Sequence, residues 1–323
     1  MPSTALLRPD VLVLAGGGIV GEAWMHGVLA GIEDAGGADF TATEAFVGTS
    51  AGSIVAARLA AGRRPPRPKD GGDEAPGLTE AAEAAAGDPA DDDGATSDGV
   101  AGAVRSAVRD VARVGWTLSA PVTGAALAVS APVGALARAT VLGQAAGHGR
   151  PLHPLHQRVA RWGARFDGRL RVCTVDRRSG RRVVFGAPGA PAASVADAVT
   201  ASCAIPWVFA PVVIGDREYV DGGAWSVTNL DAAHAGRGTR VLCLDPTAGL
   251  GGRDRRMAAL RGAFRIASGL EIQGLQRRGA VVRHVAPDVA AATRMGTNFM
   301  APGRAAPALA AGYAQGRRLV TGA

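Results

Sequence analysis

Lysine is nearly missing from this chain. Lys69 is the single one among 323 residues, and the other 34 basic residues are arginines. A bias of that kind can be purely compositional, so the formal charge of +7 does not by itself point to a nucleic-acid partner. Aromatic residues make up only 4% and no recognition module is visible, so no nucleic acid is expected to bind. Cysteine is also scarce: Cys173, Cys203 and Cys243 are odd in number, far apart and without CxxC spacing. That excludes a disulfide scaffold and suits a reducing compartment. His153 and His156 have helical pair spacing but no Cys or carboxylate cluster beside them, so no metal and no cofactor is expected. The first ten residues lack a charged segment followed by a long apolar one, so a secretory signal is not expected. The resulting expectation is a cytoplasmic protein, peripheral at the membrane. Hydrophobic residues at 47% against 20% charged exclude a wholly disordered chain.

Composition shifts most sharply over residues 62–99, where Pro, Gly, Asp and Glu dominate. Such a stretch cannot bury enough surface to offset its ordering entropy, and it reads as an acidic disordered linker. It holds ten acids and four bases, so the remainder of the chain carries +13. That remainder favours an anionic membrane surface. Residues 100–148 read as an apolar helical cap, with no charge over the 24 residues from Val114 to Ala137. The length reaches the membrane-spanning range, but Pro121 and Pro132 interrupt it and small residues outnumber Leu and Val. A packed cap, or one that touches lipid, is favoured over a span. The linker and cap are expected as insertions in one domain over 8–310, because the 236 residues outside them suit a single α/β domain.

Outside the insertion, strand-like and helix-like runs alternate, which argues for an α/β layered fold. Val11 to Ala15 is a short apolar run suited to a strand buried on both faces. Val20, Trp24, Met25, Val28, Leu29 and Ile32 then recur at helical spacing, and Gly36-Gly37 is the stop. Ala45 to Gly48 is a second strand leading into a helix that carries Ile54, Val55 and Leu59. Leu170 to Val175 and Arg182 to Phe185 flank a polar turn and predict a hairpin. Ser194 and Asp197 form a capping-box pattern for a helix that must end before Pro206. Val241 to Leu244 and Val281 to Val285 supply two more strands, with an Arg-rich helix between them.

Three motifs carry candidate chemistry. Gly16-Gly17-Gly18-Ile19-Val20-Gly21 joins a buried strand to a helix. Alone it fits the dinucleotide fingerprint, but the second strand ends in Gly48-Thr49-Ser50 rather than in the acid a ribose needs. The same backbone N–H groups at a helix N-terminus can hold an oxyanion instead. Gly48-Thr49-Ser50-Ala51-Gly52 is a G-x-S-x-G nucleophile elbow between a strand and a helix. Asp221-Gly222-Gly223 places an acid at the end of a short strand, although Asp-Gly-Gly is also a good turn. A serine needs a base, and His234 or His284 follows in the chain order of an ordinary triad, without a distinctive local pattern.

These motifs in this order resemble the patatin-like phospholipase family, over residues 10 to 60 and 165 to 300, and Ala201 to Pro206 looks like that family's S-x-x-x-P element. The resemblance implies a three-layer α/β/α fold around a mostly parallel sheet and a histidine-free dyad of Ser50 and Asp221. It also implies an oxyanion hole built from Gly16, Gly17, Gly18 and Gly21, elbow glycines Gly48 and Gly52, and Gly222 and Gly223 in the turn after the acid. A lipid acyl ester would be the substrate, and no calcium would serve the chemistry. One departure stands out: Val20 occupies the place of the family's usual Arg or Lys. Val20 is the support for a second reading, a weak or inactive membrane-associated protein that keeps the fold.

Overall fold

The computed structural model describes residues 7–68, 135, 138–140, 142–143, 149–249 and 255–322. Most of the predicted linker and cap, including nearly all of the uncharged stretch from Val114 to Ala137, lies outside the described residues. At the start of the linker, Arg67 Nη2 lies 2.9 Å from Glu33 and 2.8 Å from Asp34.

The chain begins with β1 (Val11–Leu14), α1 (Gly18–Gly36), β2 (Ala45–Thr49) and α2 (Ala51–Ala60). After the insertion come α3 (His153–Arg161), β3 (Leu170–Asp176), β4 (Arg182–Phe185), α4 (Val195–Ser202), β5 (Val212–Ile214) and β6 (Arg217–Asp221). The C-terminal part holds β7 (Arg240–Leu244), α5 (Arg255–Arg277), β8 (Val281–Val285), α6 (Val289–Met295) and α7 (Ala305–Thr321). The predicted signals sit where the chemistry needs them. Ser194 Oγ accepts the Asp197 N–H at the start of α4, and left-handed Gly37 closes α1 by donating to the Glu33 carbonyl.

The pairings form one mixed sheet that runs β5-β6-β3-β2-β1-β7-β8, with β4 also joined to β3. Strands β3, β2, β1, β7 and β8 are parallel, while β4 and β6 run antiparallel to β3. Both faces are covered. Leu12, Leu14, Leu242 and Leu244 point into a core shared with α1, α2 and α4. Val11, Val13, Val241 and Cys243 point into a second core under α5. Helices on both sides of a central sheet make a three-layer α/β/α fold, which is why the central strands read as continuous apolar runs. No helix among the described residues is long and apolar enough to cross a membrane.

The register of β3 decides where the motifs meet. Strand β4 pairs with residues 172–175 of β3, β2 with 170–173 and β6 with 174–176. Each of the latter two overlaps β4 along β3, so both must lie on the edge that β4 leaves open. They lie there end to end, and because they run in opposite directions their C-terminal ends meet. Thr49 sits opposite Cys173 and Asp221 opposite Thr174.

Helix α7 has no counterpart in the sequence-based expectations, since the face it buries is made of small residues, Ala305, Ala308, Gly312 and Gly316, rather than bulky apolar ones. It packs closely along α1. A Cβ at Gly27 would lie 2.2 Å from the Leu309 carbonyl oxygen, and one at Gly316 would lie 2.2 Å from that of Val28. Trp24 Nε1 also donates to Gln315 Oε1 at 3.0 Å. We therefore expect Gly27→Val to lower unfolding stability by about 1–3 kcal/mol through overpacking. Gly303→Ala, at a site with nothing within 4 Å, should stay within about 0.5 kcal/mol of the parent in urea unfolding.

Candidate active site

Ser50 is the hinge between β2 and α2. Its backbone, at φ 51 and ψ −126, lies in a region that non-glycine residues rarely occupy, a strain of roughly 1–3 kcal/mol that the surroundings must hold in place. The glycines around it are required by close approach. A Cβ at Gly52 would sit 2.0 Å from the Leu14 carbonyl oxygen, and one at Gly48 would sit 2.5 Å from the Ser53 Cα. From the far side, the Ser202 hydroxyl accepts the Ser50 N–H at 2.9 Å and donates to the Cys173 carbonyl at 2.7 Å. The serine of the S-x-x-x-P element thus fastens the elbow to β3.

Asp221 closes β6 and is completely buried. Its Oδ1 accepts the Gly223 N–H at 2.7 Å, while Oδ2 is buried without a hydrogen-bond partner. Burial pushes this carboxyl up from 3.8 to about 7; the Gly223 N–H and the nearby Ser50 hydroxyl pull it partly back. The unpaired oxygen and the serine hydroxyl therefore share one dry spot at the junction of β2 and β6. Gly222 lets the turn fold tightly against β3, since a Cβ there would lie 2.2 Å from the Cys173 carbonyl oxygen.

The glycine loop divides its labour. The Gly16 N–H donates to the Val227 carbonyl at 2.9 Å and the Gly21 N–H to Gly17 at 2.8 Å, so both are committed to structure. The N–H groups of Gly17 and Gly18 have no acceptor among the described residues. They stand at the N-terminus of α1, where backbone donors and the helix dipole favour negative charge. Gly18 takes φ +56, with the Phe299 carbonyl 2.7 Å from where its Cβ would be, and Pro246 crowds Gly17 and Gly21. Val20 is fully buried and its N–H donates to the Phe299 carbonyl at 3.0 Å. Its side chain belongs to the core beneath the loop, and packing by Pro246 and Phe299 supports the glycines.

The two histidines that could complete an ordinary triad do not join Ser50 in its buried site. His284 is on β8, three strand spacings or about 14 Å from β2, and pairs with Asp245 at 3.1 Å. His234 is exposed, and His156 pairs with Asp197 at 3.0 Å. No group of three or more metal-ligating side chains occurs among the described residues.

Two contributors near the site were missed in the sequence. Asn229 is fully buried and left-handed, at φ 47, and its amide reaches the Thr49 hydroxyl at 3.1 Å and the Gly222 carbonyl at 3.3 Å. Glu271 on α5 accepts from the Thr228 hydroxyl at 2.6 Å and the Leu230 N–H at 2.9 Å, and burial raises its carboxyl from 4.5 to about 7. The Ser-Val-Thr-Asn turn soon after Asp-Gly-Gly was a possible signal for Asn229. Nothing in the sequence of α5 marked Glu271.

The geometry defines an α/β/α protein with a serine elbow facing a buried carboxylate. Residues 123–234 match the family model of patatin-like phospholipase, so the resemblance seen in the motifs holds. The match includes Ser202 and Asp221; the glycine loop and the elbow precede it. Among solved structures, VipD from Legionella pneumophila is 15% identical with a TM-score of 0.42, covering 98% of this chain and 67% of that one. No curated protein sequence matches the chain.

The raised carboxyl of Asp221 has a consequence for stability. Because the folded state holds this proton more tightly than the unfolded one, its contribution is complete below about pH 4 and is lost as pH rises through about 7. Above that pH the fold carries a charge in a dry site. Asp221→Asn should therefore raise Tm at pH 8, at about 2–4 °C per kcal/mol relieved, and by less at pH 5, as read by calorimetry.

Proposed function

We propose that the chain is a serine acyl hydrolase of the patatin type, cleaving fatty-acyl esters of phospholipids or related lipids through Ser50 and Asp221. The observation that carries this reading is the partnerless Oδ2 of buried Asp221 beside the strained Ser50 elbow. A serine hydroxyl is a poor nucleophile without a base, and a carboxyl near 7 is suited to take and return a proton at neutral pH.

In this mechanism Ser50 Oγ attacks the ester carbonyl carbon while its proton passes to Asp221. The N–H groups of Gly17 and Gly18 receive the developing oxyanion, aided by the N-terminus of α1. As the tetrahedral intermediate collapses, the alcohol leaves with the proton held by Asp221, and the acyl group stays on Ser50. A water molecule then gives a proton to Asp221 and attacks the acyl carbonyl; the fatty acid departs and Ser50 regains its proton. Ser202 holds the elbow's backbone throughout.

Work at a lipid surface is supported by charge and exposure. Outside the acidic linker the chain carries +13, which attracts anionic headgroups. Trp207 follows the Ala204 carbonyl that accepts the Asp221 N–H, and it is 36% exposed with Val213 nearby in sequence at 65%. Exposed aromatic and apolar side chains suit contact with a bilayer interface.

The test is hydrolysis of a short-chain ester and of a phospholipid panel by the purified chain. Ser50→Ala and Asp221→Asn should each lower kcat at least about 10³-fold, whereas His234→Ala and His284→Ala should stay within about threefold. Full activity in Asp221→Asn together with loss in either histidine variant would replace the dyad by an ordinary triad. A folded parent that turns over none of these esters would favour the inactive reading.

A further inference from the structure

We propose that Asn229 is the positioning residue of the dyad, its side-chain amide clamping the residue before the nucleophile to the residue after the base. The proposal rests on the Ser50 and Asp221 reading above. Strands β2 and β6 meet end to end on the edge of β3, and among the described residues no strand pairing joins them directly. Besides β3, two links tie Ser50 to Asp221: the Ser202–Ala204 stretch, which accepts both backbone N–H groups, and the side chain of Asn229. Asn229 Nδ2 donates to Thr49 Oγ1 at 3.1 Å and to the Gly222 carbonyl at 3.3 Å, and also to the Ser226 carbonyl. Thr49 immediately precedes Ser50, and Gly222 immediately follows Asp221.

The clamp is itself held from two sides. Asn229 Oδ1 accepts from Arg182 Nη1 at 3.1 Å, and that guanidinium forms a two-pronged pair with Asp231 at 2.5 and 2.8 Å. On either side of Asn229 in the chain, the Thr228 hydroxyl and the Leu230 N–H both donate to Glu271 Oε2 on α5. Only an amide meets these demands, since the group must donate towards Thr49 and Gly222 while accepting from Arg182. An aspartate there would only accept, and an alanine would do neither. The left-handed backbone at φ 47 suits Asn as well, one of the few non-glycine residues that enter that region readily. A shift of about 1 Å between reacting groups can cost roughly 10²-fold in rate, so a clamp at this junction acts on the chemical step.

The test uses the full chain and a short, water-soluble ester, with kcat and KM measured separately for the parent, Ser50→Ala, Asn229→Gly, Thr49→Val and the Asn229→Gly/Thr49→Val pair. Glycine is chosen because it keeps φ 47 without strain, and valine because it removes the acceptor while keeping the shape of threonine. The expected result is a kcat about 10 to 100 times lower in Asn229→Gly with KM within about twofold, a smaller fall in Thr49→Val, and a double variant no slower than Asn229→Gly alone. Should Asn229→Gly lose its cooperative melt, Thr49→Val decides, and an unchanged kcat there overturns the proposal. A Ser50-dependent rate that Asn229→Gly leaves intact, a loss confined to KM, or simple additivity of the two changes overturns the positioning role alone. A parent rate no higher than that of Ser50→Ala overturns the dyad reading and this proposal together.

Discussion

The proposed chemistry depends on one edge of β3. Strand β4 occupies the opposite edge, so β2 and β6 have to share what is left, and they do so end to end with their C-terminal ends facing. A strand that ends in a serine elbow and a strand that ends in an aspartate are thereby brought together although 171 positions separate them in the chain. The Cys173 carbonyl lies at the seam: Ser202 donates to it from above the elbow, and Gly222 has no side chain to push it away.

The second constraint is dryness. Asp221 makes one hydrogen bond with Oδ1 and none with Oδ2, and its burial raises the carboxyl to about 7. An unpaired buried polar atom is ordinarily a cost without return. In the proposed mechanism the missing partner is the group the reaction supplies, a proton from Ser50 and then one from water. The same logic applies to the strained backbone of Ser50 and to the N–H groups of Gly17 and Gly18, which find no acceptor among the described residues. Each is an unfavourable local state that the packed surroundings, the α1 and α7 contact and Pro246 among them, keep from relaxing.

The parts of this arrangement that were legible in the sequence were those governed by short-range patterns. Val11 to Leu14 and Val241 to Leu244 are buried on both faces and so read as apolar runs. The elbow needs glycines at fixed offsets, and the helix starts and stops at Ser194 and Gly37 need particular residue types. What stayed hidden was long-range. Helix α7 buries a stripe of small residues, Ala305, Ala308, Gly312 and Gly316, which lack the bulky hydrophobic side chains that mark α1. Asn229 and Glu271 act through hydrogen bonds to residues 180 and 41 to 43 positions away, which no local window contains. Val20 looked like a missing charge in the motif, yet in the fold its side chain points into the core.

The central claim is that Asp221, dry and poised near neutrality, activates Ser50. The most direct measurement is the rate at which a fluorophosphonate labels Ser50 as a function of pH in the full chain. The account predicts a rate that rises with one ionisation, with a midpoint near 7 set by burial of Asp221. A labelling rate that is flat from pH 5 to pH 9, or one with its midpoint near that of an ordinary exposed carboxylate, would contradict it.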